Sequence, residues 1–274
     1  MRNPSFRLTH PNPARLVVLV TLTIGMLSAG VSYADDPVRY ESGYFTIAKL
    51  AGELHAALDS RKQQTVQRDL TLLESMPSPC LGPMELQDGQ VQKTVQLSAG
   101  FVVFINSLSH ARALSNPAAD VLKAYATRVA SSAFPPLVTD GMDPEKAWNF
   151  EVMNAQAGQF NQMAGGLVAI EFAHHYLGHY KKYAAQMTAD STGVIPPIGN
   201  FLTESEWRDA VLKGAKNALD CGLGVDGLKT LFECLEAMPS RPGWCAYFAP
   251  DKANFSTLSK ELKRLERDFF LAEK

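Results

Sequence analysis

The sequence lacks several features that would assign it to a class of protein at once. It has no excess of positive charge, because 26 basic and 28 acidic residues give a net charge of −2. Such a chain has no electrostatic basis for binding nucleic acid, and we expect no nucleic-acid partner. Beyond residue 34, no apolar run approaches the length of a membrane span. With 46% hydrophobic residues, the chain can bury a core as one domain.

Cysteine is also scarce. The four cysteines are Cys80, Cys221, Cys234 and Cys245. An even number in an exported chain predicts two disulfides, although the sequence does not say which cysteines pair. A cysteine-rich zinc site is the alternative, but no closely spaced C-x-x-C pair is present to favour it.

The first 34 residues have the pattern of a secretory signal peptide. Three arginines and no acid precede a short apolar block at 16–29, and small residues follow it. We expect cleavage after Ala34, which leaves 35–274 as a single domain in the periplasm or secreted, with no stable membrane span. Removing the three arginines lowers the 26 basic residues to 23 against 28 acidic ones, so this domain carries a net charge of −5.

The remaining pattern predicts a mainly α fold, or α+β with minimal strand content. Apolar residues recur at helical spacing, and capping residues precede several of these segments. Helices are expected at 45–73, 101–114, 118–133, 143–186, 203–219, 226–238 and 256–270, and a strand at 91–97. Glycines weaken the longest helix, so a break near Asn154 to Gly158 is expected.

Two histidines stand four residues apart in the longest predicted helix. On a continuous helix, His175 and His179 lie only about 40° apart, so both rings reach a single ion. Glu171 lies one turn earlier on the same face. This spacing indicates a zinc site. The alternative is that the histidines are core residues bonded to carbonyls and to Glu171, since buried polar groups need partners.

Two weaker patterns involve neighbouring histidines. Glu171 and His174 match the Glu-x-x-His element of di-iron bundles, but no second copy exists. Haem bound through His174, His175 or His179 is a related alternative that lacks a facing ligand. His110 lies in the helix predicted at 101–114, and it reaches the site only if that helix packs against the helix that carries the other histidines.

The histidine segment, AIEFAHHYLGHY at 169–180, resembles the active-site helix of M48-type zinc metallopeptidases, whose motif reads HExGH. Asn154-Ala155 and Gly166-Leu167 resemble the strand and helix start that precede this motif. Gly224-Val225-Asp226 resembles a later turn of the family. The resemblance covers about 154–238 and implies a zincin-like helical domain built around an HxxxH helix.

In the family, a glutamate directly after the first histidine acts as the general base, but Tyr176 occupies that position here. Tyrosine, with an ordinary pKa of about 10, cannot accept a proton near neutral pH. We therefore expect Glu171 to be the catalytic residue if the protein is active. The resemblance implies zinc held by His175, His179 and a glutamate from a later helix.

Two acids compete for the third zinc position. Glu204 is preferred, because Glu206 is the expected capping-box partner of Thr203. The family's aspartate one turn later is not matched, since Asp209 is offset by one residue.

Two functions follow from this resemblance. The first is an exported zinc metallopeptidase, in which metal-activated water hydrolyses a peptide or protein substrate. The second is a catalytically inactive relative that acts as a binding or assembly factor of the cell envelope.

Overall fold

The computed structural model of the protein describes residues 43–87, 90–115, 120–132, 135–136, 138, 142–188 and 194–272. All of them belong to one unit, Tyr40–Lys274, and the expected signal peptide lies outside the described residues. In these ranges the chain is mainly helical with little strand, which confirms the predicted fold class. Among the helices described, none combines the length and the hydropathy that crossing a bilayer requires.

The elements follow one another along the chain as helices interrupted by one region of short strands. The helices are α1 (Gly43–Ala57), α2 (Ser60–Gln63), α3 (Ala99–Leu114), α4 (Val121–Ala130), α5 (Pro144–Ala147), α6 (Phe150–Tyr176), α7 (His179–Tyr183), α8 (Glu204–Asp220), α9 (Asp226–Ala237) and α10 (Phe255–Ala272). The strands are β1 (Leu70–Leu73), β2 (Leu81–Gly82), β3 (Leu86–Gln87), β4 (Gln90–Val91) and β5 (Val95–Ser98). Single 3-10 turns lie at Ile198–Asn200 and Gly243–Tyr247.

The prediction of a first helix at 45–73 is wrong beyond Ala57. Helix α1 ends there, and Asp59 caps the short α2 by accepting a hydrogen bond from the Lys62 amide at 3.0 Å. The last four residues of the predicted helix form β1 instead, parallel to β5, with Leu70 opposite Val95. Short apolar runs suit a strand as well as a helix, and here pairing with a distant segment decides between them.

Strand β5 is the centre of a three-stranded sheet in the order β1-β5-β2, in which β2 is antiparallel to β5. Strands β3 and β4 form a separate antiparallel pair. The predicted strand at 91–97 is therefore two strands rather than one. Ser98 ends β5 and caps α3, because its hydroxyl accepts a hydrogen bond from the Phe101 amide at 2.9 Å.

Helix α6 is the central helix of the fold and contacts α1, α3, α8 and α9. Every residue from Met163 to His174 is buried, as expected for a helix that is apolar on all sides. Helix α8 crosses it closely at Gly214, where a Cβ would lie 2.6 Å from the backbone nitrogen of Ile170. Only glycine permits this approach.

The predicted helix at 143–186 is three helices. Asp143 and Pro144 begin α5 as expected, but Asn149 starts α6 by accepting a hydrogen bond from the Val152 amide at 3.0 Å. A second break follows Tyr176. The expected break at Asn154 to Gly158 is wrong, because α6 runs through it.

The later helices confirm their predictions more closely. Thr203 and Glu206 form the expected capping box at the start of α8. Gly222 follows this helix with a φ of 77°, which fits its predicted role as a stop. Helices α9 and α10 lie within two residues of their expected bounds.

Candidate functional site

The HYLGH segment is divided between two helices. Helix α6 ends at Tyr176, Gly178 has a left-handed φ of 76°, and α7 begins at His179. The Gly178 amide donates to the His175 carbonyl at 3.0 Å, as at many glycine-terminated helix ends. The prediction that His175 and His179 share one continuous helix is therefore wrong. Glycine takes this conformation without a Cβ penalty, so the helix can end here.

The break brings a different pair of histidines together. The Nδ1 atoms of His174 and His179 are 2.8 Å apart, and both residues are buried. At this distance one Nδ1–H group donates a hydrogen bond to the other Nδ1 atom, so one ring carries a proton on Nδ1 and the other does not. Burial lowers the pKa of His174 well below its ordinary value, and the neighbouring histidines lower it further. Burial also lowers the pKa of His179, although Glu206 and Asp209 oppose that shift.

His175 faces Glu171 rather than His179. Its Nε2 atom is 3.6 Å from Glu171 Oε1, which is too long for a hydrogen bond, and no described residue supplies a hydrogen-bond partner for this buried nitrogen. Burial lowers the pKa of His175 to about 3. The ring is thus neutral near pH 7.

Glu171 also contacts Tyr180 and β2. The Tyr180 hydroxyl donates to Glu171 Oε1 at 2.5 Å, and a Cβ at Gly82 would lie 3.3 Å from Oε2. Burial raises the pKa of Glu171 to about 8, and the hydrogen bond from Tyr180 only partly opposes it. This carboxyl, only 2% exposed, is therefore mostly protonated at pH 7. Together we call His174, His175, His179, Glu171 and Tyr180 the histidine cluster.

The expected third metal ligand lies apart from this cluster. Glu204 is exposed in the first turn of α8. Glu206 lies closer to His179, but it accepts hydrogen bonds from Lys182 at 2.5 Å and Tyr183 at 2.9 Å as well as capping α8. Burial would raise the pKa of Glu206, but its hydrogen bonds outweigh burial and lower the pKa to about 2.

The predicted zinc ligands consequently do not fit a zinc ion as they stand. The His175 nitrogen is directed at Glu171, His179 faces His174, and Glu204 is at the surface. Within the described ranges, no group of three or more His, Cys, Asp or Glu side chains is arranged to hold a metal ion.

Tyr176, in the position of the family's general base, forms part of a cavity wall. Lys62 lies over its ring, 5.3 Å from the centroid. Burial raises the pKa of Tyr176 to about 12, with smaller contributions from Asp209 and Asp59. This hydroxyl keeps its proton at neutral pH and cannot serve as a base.

His110 does not approach the cluster. Its Nε2 atom is 2.8 Å from the Ala147 carbonyl oxygen, and its ring packs on Trp148 with centroids 4.1 Å apart. Sequence reasoning missed Tyr180, whose signal was limited to its place directly after His179 in the motif.

The two predicted disulfides are not formed. All four cysteines lie within the described residues and are free thiols. The sulfur atoms have other neighbours. Cys245 Sγ is 3.9 Å from Met238 Sδ, and the Cys80 thiol forms hydrogen bonds with the side chains of Tyr247 and Ser98. Burial raises the pKa of Cys80 to about 11, so this thiol is unreactive near neutral pH.

Comparison with known protein families, with curated protein sequences and with solved structures finds no match to this chain. The metallopeptidase resemblance therefore rests on the residues that carry it and remains a prediction.

Proposed function

We propose that this protein is a non-hydrolytic binding protein, exported through its N-terminal segment, that works in the periplasm or outside the cell. The observation that carries the proposal is the state of Glu171, the one acid within the histidine cluster. Its carboxyl is buried and accepts a hydrogen bond from Tyr180, and burial raises its pKa to about 8, which favours the protonated form at pH 7. A carboxylate that acts as general base must be ionised and must reach the water that it activates. The Glu171 carboxyl meets neither condition, because it is buried and its pKa is raised.

The position of Tyr176 supports the same proposal. If the resemblance to metallopeptidases is ancestral, the residue in the general-base slot has become part of a cavity wall. Loss of a general base costs roughly 10²- to 10⁴-fold in rate. A chain without this base retains a helical scaffold and a concave surface, which suffice for binding.

A zinc-binding protein is the second candidate, favoured by the convergence of His174 and His179. Their Nδ1 atoms are 2.8 Å apart, and tetrahedral ligands at about 2.0 Å from zinc lie about 3.3 Å apart. A ring shift of about 0.5 Å would accommodate an ion. Glu206 and Asp209 lie near enough to influence the pKa of His179. In this candidate His174 replaces His175 as a ligand.

Hydrolysis of casein and of reporter peptides by the purified protein tests the first proposal. We expect no hydrolysis above the blank, with or without a chelator or added zinc. Hydrolysis that a chelator abolishes and that His175→Ala removes would contradict the proposal and support an active metallopeptidase.

Zinc bound per chain, measured by mass spectrometry after dialysis, separates the two ligand sets. If His174 and His179 hold zinc, His174→Ala loses it and His175→Ala retains most of it. If the set implied by the resemblance holds zinc, the effects of these matched substitutions are reversed. If the wild type retains no zinc, only the metal-free binding protein remains.

A further inference from the structure

A cavity of about 720 Å³ lies beside the end of α6, and Tyr176 forms part of its wall. Its walls come from the end of α1, from α2, from the residues around Tyr176 and from α8. This volume is within the range of about 300–1,000 Å³ that is typical of small-molecule sites. The cavity is separate from the histidine cluster, whose members do not line it.

The cavity is positively charged although the chain as a whole is negative. Four cations line it, against the two carboxylates of Asp59 and Asp220; the cations are Arg61, Lys62, Lys213 and Lys216. The whole sequence has a net charge of −2, so the excess of positive charge here is local. Like charges gathered in a concave surface raise the local concentration of anions.

The cations are available to a ligand. Lys62 pairs with Asp59 and Lys216 with Asp220, each at 2.8 Å, and Lys213 pairs with Asp209 at 3.3 Å, but these side chains are about half exposed. Exposed pairs of this kind contribute little, roughly 0–1 kcal/mol, so an anion can compete for them. Arg61 is exposed, and within the described residues its guanidinium group forms no ion pair. Its guanidinium group can hold a carboxylate or phosphate in a bidentate manner.

The remaining wall is apolar and aromatic. Leu58, Leu177 and the ring of Tyr176 lie beside the charged side chains. A purely inorganic ion would leave this surface uncovered. The combination instead fits a molecule with an anionic group at one end and an apolar body at the other.

We propose that this cavity binds a small amphipathic organic anion, a carboxylate or phosphate ester with an apolar body. The inference rests on the proposed function and deepens it, because it names the class of ligand that the binding protein would take. Arg61, Lys62, Lys213 and Lys216 hold the anionic group, and Leu58, Leu177 and Tyr176 cover the apolar body.

Calorimetric titration with hexyl phosphate, with inorganic phosphate and with hexanol tests this proposal. We expect saturable binding of hexyl phosphate and at least about tenfold weaker binding of the other two, since each lacks half of the recognised chemistry. Added salt should weaken binding, because the cations are partly exposed. Equal affinity for hexanol, or no saturable binding of hexyl phosphate, would overturn the proposal.

Charge-neutralising variants test whether the ligand binds in the cavity. Arg61→Gln and Lys216→Gln are each expected to weaken hexyl phosphate binding about three- to tenfold, which is roughly 1 kcal/mol. Lys252→Gln is the matched control, because it removes one exposed charge outside the cavity and should leave affinity unchanged. An equal loss in Lys252→Gln would show a general charge effect and contradict the proposal.

Competition with anionic phospholipid vesicles distinguishes the two sources of such a ligand. Displacement of hexyl phosphate by vesicles identifies a lipid headgroup, and its persistence identifies a soluble anion; both results keep the cavity as the site. Peptide hydrolysis would overturn the proposed function without affecting these titrations. Failure of hexyl phosphate to bind would overturn the inference alone.

Discussion

Gly214→Ala is expected to lower the free energy of unfolding by about 1–3 kcal/mol, the typical cost of overpacking a close contact. The added Cβ would lie 2.6 Å from the Ile170 nitrogen and 2.7 Å from its Cα. Both atoms are backbone, so helices α6 and α8 must separate. Because α6 carries three members of the histidine cluster, its displacement would also disturb their contacts. Urea denaturation followed by circular dichroism measures the loss.

Gly158→Ala is the matched control, since it makes the same substitution in another helix interior. A Cβ at Gly158 meets no atom within 4 Å. Alanine there should raise stability by up to about 1 kcal/mol through its higher helix propensity. Equal effects of the two substitutions would mean that α6 and α8 do not approach as closely as described.

Glu171→Gln is expected to remove a fall in stability of about 2 kcal/mol between pH 6.5 and pH 8. In the folded protein the pKa of Glu171 is raised from 4.5 to about 8, so the folded state keeps a proton that the unfolded state loses. Stability from this group therefore falls as the pH rises towards 8. Glutamine has no proton to lose, and its amide oxygen can still accept from Tyr180.

His175 opposes Glu171 only at lower pH. Its pKa is lowered from 6.5 to about 3, so the unfolded state takes up a proton that the folded state does not. Stability from His175, and likewise from His174 and His179, falls as the pH drops through 6.5; because Glu171→Gln keeps these histidines, its difference from the wild type isolates the Glu171 effect. Denaturation curves recorded at pH 6.5 and at pH 8 measure this fall in stability. Glu204→Gln, at an exposed carboxylate, should keep the wild-type fall; the same fall in Glu171→Gln would contradict the assigned protonation.

Local signals in the sequence were sufficient for much of the fold. Thr203 and Glu206 start α8 because both partners of a capping box lie within one turn. Ser98 starts α3 in the same local way. The strand β1 was missed because its pairing with β5 joins segments about 25 residues apart, and spacing within either segment does not reveal it.

The histidine cluster shows why the site was harder to predict than the fold. His175 and His179 converge only if the helix continues through Gly178, and a glycine there permits either outcome. Once the helix breaks, His179 meets His174 and His175 meets Glu171. Tyr180 joins the cluster through the same break. These contacts depend on the left-handed conformation of Gly178, which no spacing rule specifies.

The nitrogen chemical shifts of the imidazole rings, measured by long-range proton–nitrogen correlation, test most directly whether the histidine cluster is satisfied within the fold. We predict neutral His174 and His175 rings at pH 6.5, with one of His174 and His179 carrying a proton on Nδ1. His175 should not titrate between pH 5 and pH 8. A His175 ring that titrates near pH 6.5, or whose shifts move together with those of His179 on zinc addition, would contradict this description.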